Sequence, residues 1–527
     1  MSSNHGVTLF HNLKYFDGSG FRRGEIAVEA GRIRAVGEGL PRSGAVLEDL
    51  DGEFVCPAFN DCHCHVSMLA ESFGFVDVSA VRCPTIPSVL DAMKEHARCL
   101  PSGRWVTGHG YLASAVVENR YPTLAEMDAA VPDRPAIIWH ASRHGMIANS
   151  LALRAGGIGA DSEDPPGGKI GRDLQGRLNG LLFEDAVALV RRVQPKMGKT
   201  ELADNLVLAA RHLNRMGITA ATDATSFRFG LEEELWAYRA AAERGMSLRI
   251  RLTPLYDFLA ARGEVPTRDE WDPLRGHPTV AIGGVKLFAD GAIGTRTAAI
   301  TGEFLSGGSG LLIHPQEELE QAVWDIHRAG RQVIVHAIGD RAIASCLTAI
   351  EKALTRQPRA DHRHRIEHSM LLTPDLIRRY VGAGVCATMQ PEFLLRFADD
   401  YLQALGERAK GVKPMRSLLN AGVPIGFSSD LTIVPGDPAD GMLAAVHRRS
   451  AKGTQLDLSE ALSPAEALRC YTEGSAYVGF QEAELGNIAP GMLADFVLYD
   501  SDPLSNLSNG STPKPMGAMF AGTRLRF

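Results

Sequence analysis

Short apolar runs alternate with helix-like patterns through most of the chain, and this alternation constrains the fold more than any other feature. From about residue 205 onward, each apolar run is followed by a stretch with a helical pattern. Such alternation is typical of repeated βα units around a parallel sheet. The candidate strands cover residues 53–61, 220–222, 248–252, 281–288, 332–336, 365–368, 385–388 and 424–427. Eight βα units are what a (β/α)8 TIM barrel requires.

The two chain ends differ from the middle. Alternating apolar runs around a Gly turn at residues 24–36, and matching runs near the C-terminus, predict short strands. We expect a small β-sandwich built from residues 1–55 and 485–527, with the barrel in residues 56–484. Roughly 150 residues separate the first strand from the second, too many for a βα loop. We therefore expect an inserted subdomain after strand one, over residues 70–200, in an α/β protein.

Composition excludes several classes of protein. The 55 Lys and Arg against 62 Asp and Glu give a net charge of −7, which argues against a nucleic-acid partner. No run approaches the ~18 apolar residues needed to cross a membrane. Eight cysteines do not make a disulfide scaffold in a chain of 527 residues. The first 20 residues lack the pattern of a signal peptide, so we expect reduced thiols and a cytoplasmic location.

Histidine is the unusual residue, with 17 copies, two of them in Cys62-His63-Cys64-His65 at the end of the first strand. Alternate residues of a strand share a face. His63 and His65 therefore point together, and the two cysteines point away from them. One metal ion can take both imidazoles. Two histidines without a ligand role remain the alternative for this motif taken alone.

Four further residues suited to metal binding lie in later strands. His336 and His368 end the strands at 332–336 and 365–368, and Asp430 follows the last strand. Lys286 lies inside an apolar strand, where a charged amine is costly unless it is paired or chemically changed. A salt bridge to Asp290 or Asp430 is one explanation for this lysine. Catalytic groups of barrels gather at the carboxyl ends of the strands, so we expect these residues to meet there.

Other polar residues receive different interpretations. Glu367 is expected to point away from His368 and to serve as a structural partner. His362 and His364 lie in a basic run before their strand, and a solvated strand entry explains them. Three more residues are candidate substrate contacts: His109, His144 and Arg296.

The order His-x-His, Lys, His, His, Asp along the strands resembles the amidohydrolase superfamily. Within it, the chain is similar to the N-substituted formamide deformylase branch. The phrases that carry this resemblance lie at residues 104–110, 144–153, 285–298, 336–342, 365–368 and 429–430. Two departures stand out: Pro57 to Cys62 differs from the usual strand-one phrase, and Ser142-Arg143 replaces a common Asp-Gly. The second departure implies a different substrate specificity if that loop reaches the substrate.

The resemblance implies a binuclear centre of two divalent ions, most commonly Zn²⁺. His63 and His65 would bind one ion, and His336 and His368 the other. Lys286, carboxylated by CO₂ to a carbamate, would bridge them. Asp430 would contact the first ion and take a proton from a bridging water, which gives a metal-bridging hydroxide. A site with one metal ion is the alternative. The resemblance also implies a homodimer.

The predicted function is metal-dependent hydrolysis of C–N bonds other than peptide bonds. The substrate would be a small molecule that carries an N-substituted amide, a formamide or a cyclic amide. A lactone or ester hydrolase on the same site is the alternative among enzymes. A metal-binding regulatory protein without catalysis is the alternative outside them, although a proton-transferring Asp430 argues against it.

Overall fold

The structure is a computed structural model that describes residues 6–101, 103–141, 145–261 and 263–526. The chain divides into two compact units. The first comprises Met1–Ser67 and Leu206–Phe527, and the second is Met68–Asn205. Two helices contain the boundaries between the units: Val66–Ser72 and Lys199–Arg215.

Strands from both chain ends pair in one eight-stranded sheet of the first unit. These strands are Thr8–Phe16, Phe21–Glu29, Arg32–Gly37, Val46–Asp49, Phe54–Pro57, Phe496–Tyr499, Gly517–Phe520 and Thr523–Arg524. The two ends meet where Phe54–Pro57 runs antiparallel to Phe496–Tyr499. Apolar residues of both ends, including Phe10 and Ile26, form one buried cluster. The sheet therefore joins the chain termini, and its division into two layers stays a prediction.

Parallel strands in two sheets form the middle of the first unit. In spatial order, the first sheet contains Val280–Ile282, Arg249–Pro254, Ile218–Ser226 and Phe59–Cys64. The second contains Val285–Phe288, Val333–Ala337, Arg365–His368, Cys386–Met389 and Ile425–Phe427. All neighbouring strands are parallel. Most strands lie where the sequence predicts them, with two differences. The predicted first strand at 53–61 is divided, because Phe54–Pro57 pairs in the sheet of the chain ends and the parallel strand is Phe59–Cys64, and the fourth is interrupted at residues 283–284.

Backbone contacts connect the two sheets at both edges. A β-bridge pairs Leu255 with Lys286. At the other edge, the N–H of Asp430 donates to the carbonyl of His63 at 2.8 Å, and the N–H of His65 donates to Leu431 at 2.6 Å. The segment after the last parallel strand is thus bonded to the end of the first. The arrangement is TIM-barrel-like, and it places the residues after these strands at one end.

Helices follow most of the parallel strands. The α-helices of the first unit are Leu231–Glu243, Tyr256–Ala260, Gln316–Arg328, Asp340–Arg356, Pro374–Ala383, Glu392–Leu405, Met415–Asn420, Pro438–His447, Pro464–Arg469, Ser475–Val478 and Pro503–Ser508. Shorter helical turns lie at Gly406–Gly411, Leu458–Glu460 and Cys470–Gly474. Local sequence sets their ends: the Thr373 side chain accepts from the N–H of Leu376, and Gly384 ends that helix with a left-handed φ of 62°.

The second unit contains a six-stranded mixed sheet. In spatial order its strands are Gly168–Arg172, Leu178–Glu184, Gly145–Ala148, Ala136–His140, Val106–Tyr111 and Val76–Asp77. Its helices are Ile86–Cys99, Leu124–Ala130, Ser150–Ala155 and Val187–Arg191, with a 3-10 turn at Ala113–Ala115. Ile138 belongs to one buried cluster and its neighbour Ile137 to another. Since neighbouring strand residues point to opposite faces, apolar side chains cover both faces of this sheet.

The described part of the chain has no helix that is both long enough and apolar enough to span a membrane. The cysteines are free thiols, and all but Cys99 are buried. The Cys62 thiol donates to the carbonyl of Phe427, and the Cys64 thiol to that of Thr222. Both thiols are therefore directed at backbone oxygens.

Candidate metal centre

Three buried side chains converge beyond the carboxyl ends of the parallel strands. His63, His368 and Asp430 each offer one ligand atom, and these atoms lie within 4.8 Å of one another. The three residues are 1%, 2% and 7% exposed. Imidazole nitrogens and a carboxylate are ligands that Zn²⁺ accepts. The residues present therefore fit a divalent cation.

The backbone of two of these residues leaves the extended conformation. His368 has φ of 71° and Asp430 has φ of 61°, values that non-Gly residues rarely adopt. The strand ladder pairs His336 with Glu367, so strand alternation alone would turn His368 away from His336. Instead, the imidazole centroids of His336 and His368 lie 4.5 Å apart. Such strained positions cluster at functional sites, where the surrounding structure holds them in place.

His65 contacts the carboxylate of Asp430. Its Nε2 lies 2.9 Å from Asp430 Oδ1, and the Nε2 of His63 lies 3.5 Å from that oxygen. The Nδ1 of His65 bonds to the hydroxyl of Thr225 at 3.0 Å. Burial raises the pKa of Asp430, but the hydrogen bond from His65 and the nearby histidines outweigh burial and hold the pKa well below its usual range. The strand-one pair therefore shares one oxygen of Asp430.

His336 and Lys286 lie on neighbouring strands. Burial, followed by the Lys286 charge, lowers the pKa of His336 to about 3. The Nε2–H of His336 donates to the carbonyl of Gly291 at 3.0 Å, which leaves Nδ1 as its acceptor nitrogen. Lys286 is 1% exposed, and burial lowers its pKa to about 8. Its Nζ lies 4.9 Å from the centroid of the Phe288 ring.

Asp290, one expected partner of Lys286, is engaged with the backbone instead. Its carboxylate accepts from the N–H groups of Ile338, Gly339 and Ala299 at 2.8–2.9 Å. Asp290 thus ties the loop after the fourth strand to the segment after His336. Arg296, in the same loop, donates to the carbonyls of Ile293 at 2.8 Å and Gly294 at 3.2 Å. Its role as a substrate contact stays a prediction.

Glu367 supports the centre directly, contrary to the expectation that it points to the opposite face. It accepts a short hydrogen bond from the Nδ1–H of His63. Its other oxygen pairs with Arg365 Nε at 2.8 Å. Burial raises the pKa of Glu367, but Arg365 and His63 outweigh it and hold the pKa at about 2. An ionised Glu367 fixes the proton of His63 on Nδ1, so Nε2 is the nitrogen that remains for a metal ion.

Two further residues near the centre are absent from the sequence expectations. Gln390, directly after the strand Cys386–Met389, accepts from the Nδ1–H of His368 at 2.8 Å. Lys413 is fully buried, and its Nζ lies 3.2 Å from the carbonyl of His368. A polar residue at a strand end is the signal that identifies the other site residues, and it applies to Gln390. No pattern in the sequence marks Lys413.

The histidines before the sixth strand are buried rather than solvated. His362 is 4% exposed and His364 is 0% exposed, so the expected solvated strand entry is wrong. Both pack against neighbouring groups: His362 donates to the carbonyl of Ala383, and His364 bonds to His327. The two imidazoles can be buried because their ring nitrogens find partners inside the protein.

The remaining candidates lie in the second unit or outside the described residues. His109 belongs to the strand Val106–Tyr111, and its ring centroid lies 6.4 Å from that of Phe75. His144 falls outside the residues that the structure describes. A contact of either residue with substrate stays a prediction.

Comparison with known proteins agrees with this arrangement. A model of the amidohydrolase family matches residues 46–506. The Bacillus subtilis (strain 168) protein YtcJ is 31% identical over 518 residues, which cover 95% of this chain and 94% of that protein. The N-substituted formamide deformylase of Arthrobacter pascens is 30% identical over 494 residues, covering 91% and 90%. A crystal structure of an uncharacterized metal-dependent hydrolase from Pyrococcus furiosus superposes with a TM-score of 0.76 at 25% identity, covering 94% of this chain and 100% of that one.

The fold, the buried His and Asp cluster and these relatives define the class of metal-dependent hydrolases. Within that class, the chain belongs to the amidohydrolase family, whose model covers most of its length.

Proposed function

We propose that this protein hydrolyses C–N bonds other than peptide bonds in small molecules, namely N-substituted amides, formamides or cyclic amides. The convergence of His63, His368 and Asp430 within 4.8 Å is the observation that carries the proposal. The relative from Arthrobacter pascens supports the choice of bond, because its name describes N-substituted formamides.

The centre would hold two divalent ions, with zinc as our choice. His63 and His65 would bind the first ion, and His336 and His368 the second. Lys286 would bridge them after its amine forms an N–C bond to CO₂ and releases a proton, which leaves a carbamate anion. The burial of this amine in an apolar strand supports such a change, because the carbamate removes the buried positive charge. Bound ions would lower the pKa of water and polarise the substrate carbonyl.

Asp430 would move the proton. As the oxygen of the attacking water bonds to the carbonyl carbon, the carboxylate of Asp430 takes a proton from that water. When the C–N bond breaks, Asp430 gives the proton to the leaving nitrogen, which yields an acid and an amine, both on one molecule when the amide is cyclic. The contact between His65 Nε2 and Asp430 Oδ1 supports this role, since it holds the carboxylate in one orientation.

A substrate panel on zinc-loaded protein tests the proposal. We expect turnover of formamides, acetamides or cyclic amides, and a fall of about 10²–10⁴-fold in kcat/KM for Asp430→Asn. Asp440→Asn is the matched control, because Asp440 pairs with Arg396 on a nearby helix. Turnover of lactones alone would favour the ester hydrolase. Two bound zinc ions with no turnover of any substrate would favour a regulatory protein.

A further inference from the structure

Lys413 is a buried amine in contact with the candidate centre. It lies just before the helix Met415–Asn420 and is fully buried. Its Nζ is 3.2 Å from the carbonyl of His368 and 3.3 Å from Gln390 Oε1. Burial of an amine is costly unless its N–H groups find acceptors. One acceptor belongs to His368, a candidate metal ligand, and the other belongs to Gln390, which bonds to the His368 ring.

The two donors meet at one amide oxygen. Gln390 Oε1 accepts from Lys413 Nζ and also from the Nδ1–H of His368, at 2.8 Å. The Nε2 of Gln390 donates to the hydroxyl of Ser428 at 2.9 Å. Both Lys413 and the Nδ1–H of His368 are directed at Oε1, and Nε2 is occupied by Ser428, so the oxygen of the amide faces the two donors. The amide is thereby held in one orientation, with its acceptor toward His368.

We propose that Lys413 is a positioning residue of the metal centre that acts through Gln390. By fixing the amide oxygen toward His368, it keeps the proton of that imidazole on Nδ1 and leaves Nε2 to bind a metal ion. A neutral amine would also supply two N–H groups, so the role does not depend on the charge of Lys413. This inference rests on the proposed function only in that His368 is a metal ligand.

The surroundings of Lys413 hold it in this place. The guanidinium of Arg448 is fully buried and donates to the carbonyls of Lys413 at 3.0 Å and Val412 at 2.7 Å. Lys413 itself has a left-handed φ of 51°. Its Nζ lies 5.2 Å from the centroid of the Phe393 ring, which stacks on the ring of His368 at 6.2 Å. The amine is therefore confined on the side of His368 that bonds to Gln390.

Zinc affinity, measured by competition with a chelating dye, tests the inference. We expect Lys413→Met to weaken binding of one zinc ion by about 10–100-fold, the usual effect of losing a group that orients a ligand. Lys410→Met is the matched control, because Lys410 is an exposed residue of the same segment and pairs with Glu407. Its affinity should stay within about twofold of the wild type. Thermal unfolding checks that both variants are folded.

A double-mutant cycle shows whether Lys413 acts through Gln390. Gln390→Met should weaken zinc binding as Lys413→Met does, and the double variant should be little worse than either. Gln390→Glu keeps an acceptor oxygen for both donors and should retain affinity within a few-fold of the wild type. Fully additive effects, or wild-type affinity in a folded Lys413→Met, would overturn the inference.

The possible outcomes keep this inference distinct from the proposed function. If Lys413→Met does not fold, wild-type affinity in Gln390→Met would overturn the inference by itself. A wild-type protein that binds no zinc would instead refute the proposed metal centre. Zinc binding by the wild type with unchanged affinity in the variants would leave that centre intact and remove only the role of Lys413.

Discussion

Two buried histidines at opposite ends of one strand use their ring nitrogens differently. His368 is the last residue of the strand Arg365–His368, and His364 lies directly before the first residue of that strand. His368 donates from Nδ1 to Gln390, so one nitrogen remains for a metal ion. His364 accepts from the N–H of Val333 at Nδ1, and its Nε2 bonds to His327 at 2.8 Å. Both histidines are buried, so the nitrogen that His368 keeps for a ligand, rather than burial, distinguishes it from His364.

The same difference extends to the neighbours of each histidine. His327 uses its second nitrogen on the carbonyl of Gln357 at 2.7 Å. His362 uses Nε2 on the carbonyl of Ala383 and accepts from the N–H of His364 at Nδ1. We call His327, His362 and His364 the amino-end histidines. Their hydrogen bonds consume every ring nitrogen, so this group stabilises the fold at the end of the strands opposite the metal centre.

The comparison predicts opposite results for alanine at the two ends of this strand. His368→Ala should lose at least one zinc ion and nearly all hydrolytic activity, because it removes a ligand. His364→Ala should keep the zinc content of the wild type. Metal analysis of folded, zinc-loaded protein measures the difference. Equal zinc loss in both variants would show that the distinction drawn from the ring nitrogens is wrong.

Glu367→Gln tests the support of His63. The amide can still accept from His63, but it leaves Arg365 without its buried negative partner and no longer fixes the His63 proton on Nδ1. We expect zinc affinity to fall by about 10–100-fold. Glu351→Gln, which alters a half-exposed ion pair with Arg379, is the control. An unchanged affinity in folded Glu367→Gln would mean that this carboxylate does not tune the site.

Removal of an amino-end histidine should cost stability instead. His364→Ala leaves the N–H of Val333 and the Nδ1 of His327 without their partners, and each buried loss costs about 1–3 kcal/mol. We therefore expect a lower Tm in thermal unfolding. His314→Ala, at a partly exposed histidine, should leave the Tm nearly unchanged. A Tm for His364→Ala equal to that of the wild type would contradict a structural role.

The amino-end histidines also predict the smallest effect, a dependence of stability on pH. Burial lowers the pKa of both His327 and His364. Below the unfolded value of about 6.5, the unfolded chain takes up protons that the folded protein resists, so stability is present above that pH and declines as pH falls. His362 and Arg359 lie beside them and oppose protonation of His364 further.

His327→Gln isolates this contribution. The variant should have a lower Tm than the wild type near about pH 7.5. The difference in Tm between the two proteins should be smaller near about pH 5, because the variant lacks one of the histidines that resist protonation. The metal-site histidines are common to both proteins, so their effect cancels in the difference. A Tm difference that grows as the pH falls would contradict the expected pH dependence.

Much of this arrangement could be predicted from the sequence. The alternation of apolar runs located the parallel strands because a buried strand carries a recognisable local pattern. The same strands placed His63, His336, His368 and Asp430 near one end, and the structure brings three of them to the cluster and places the His336 ring beside that of His368. The ligand roles themselves, the carbamate on Lys286 and the domain boundaries stay predictions.

The errors have local physical reasons. Strand alternation predicts that Glu367 faces away from His368, but His368 adopts a left-handed φ and leaves that pattern. The basic run around His364 predicts a solvated position, yet the ring nitrogens of His364 bond to Val333 and His327 inside the protein. Short-range pattern does not reveal where a hydrogen-bond partner from another strand will lie.

The sequence by itself determined the strands and the kinds of ligand at their ends, since both depend on residue type and local period. Only the tertiary structure decided which nitrogen of His63 and of His368 is available. That choice depends on partners from distant positions: Glu367 lies 304 residues from His63, and Gln390 lies 22 residues from His368. A hydrogen bond fixes the proton on one nitrogen, and the other nitrogen is then left to bind a metal ion or to stabilise the core.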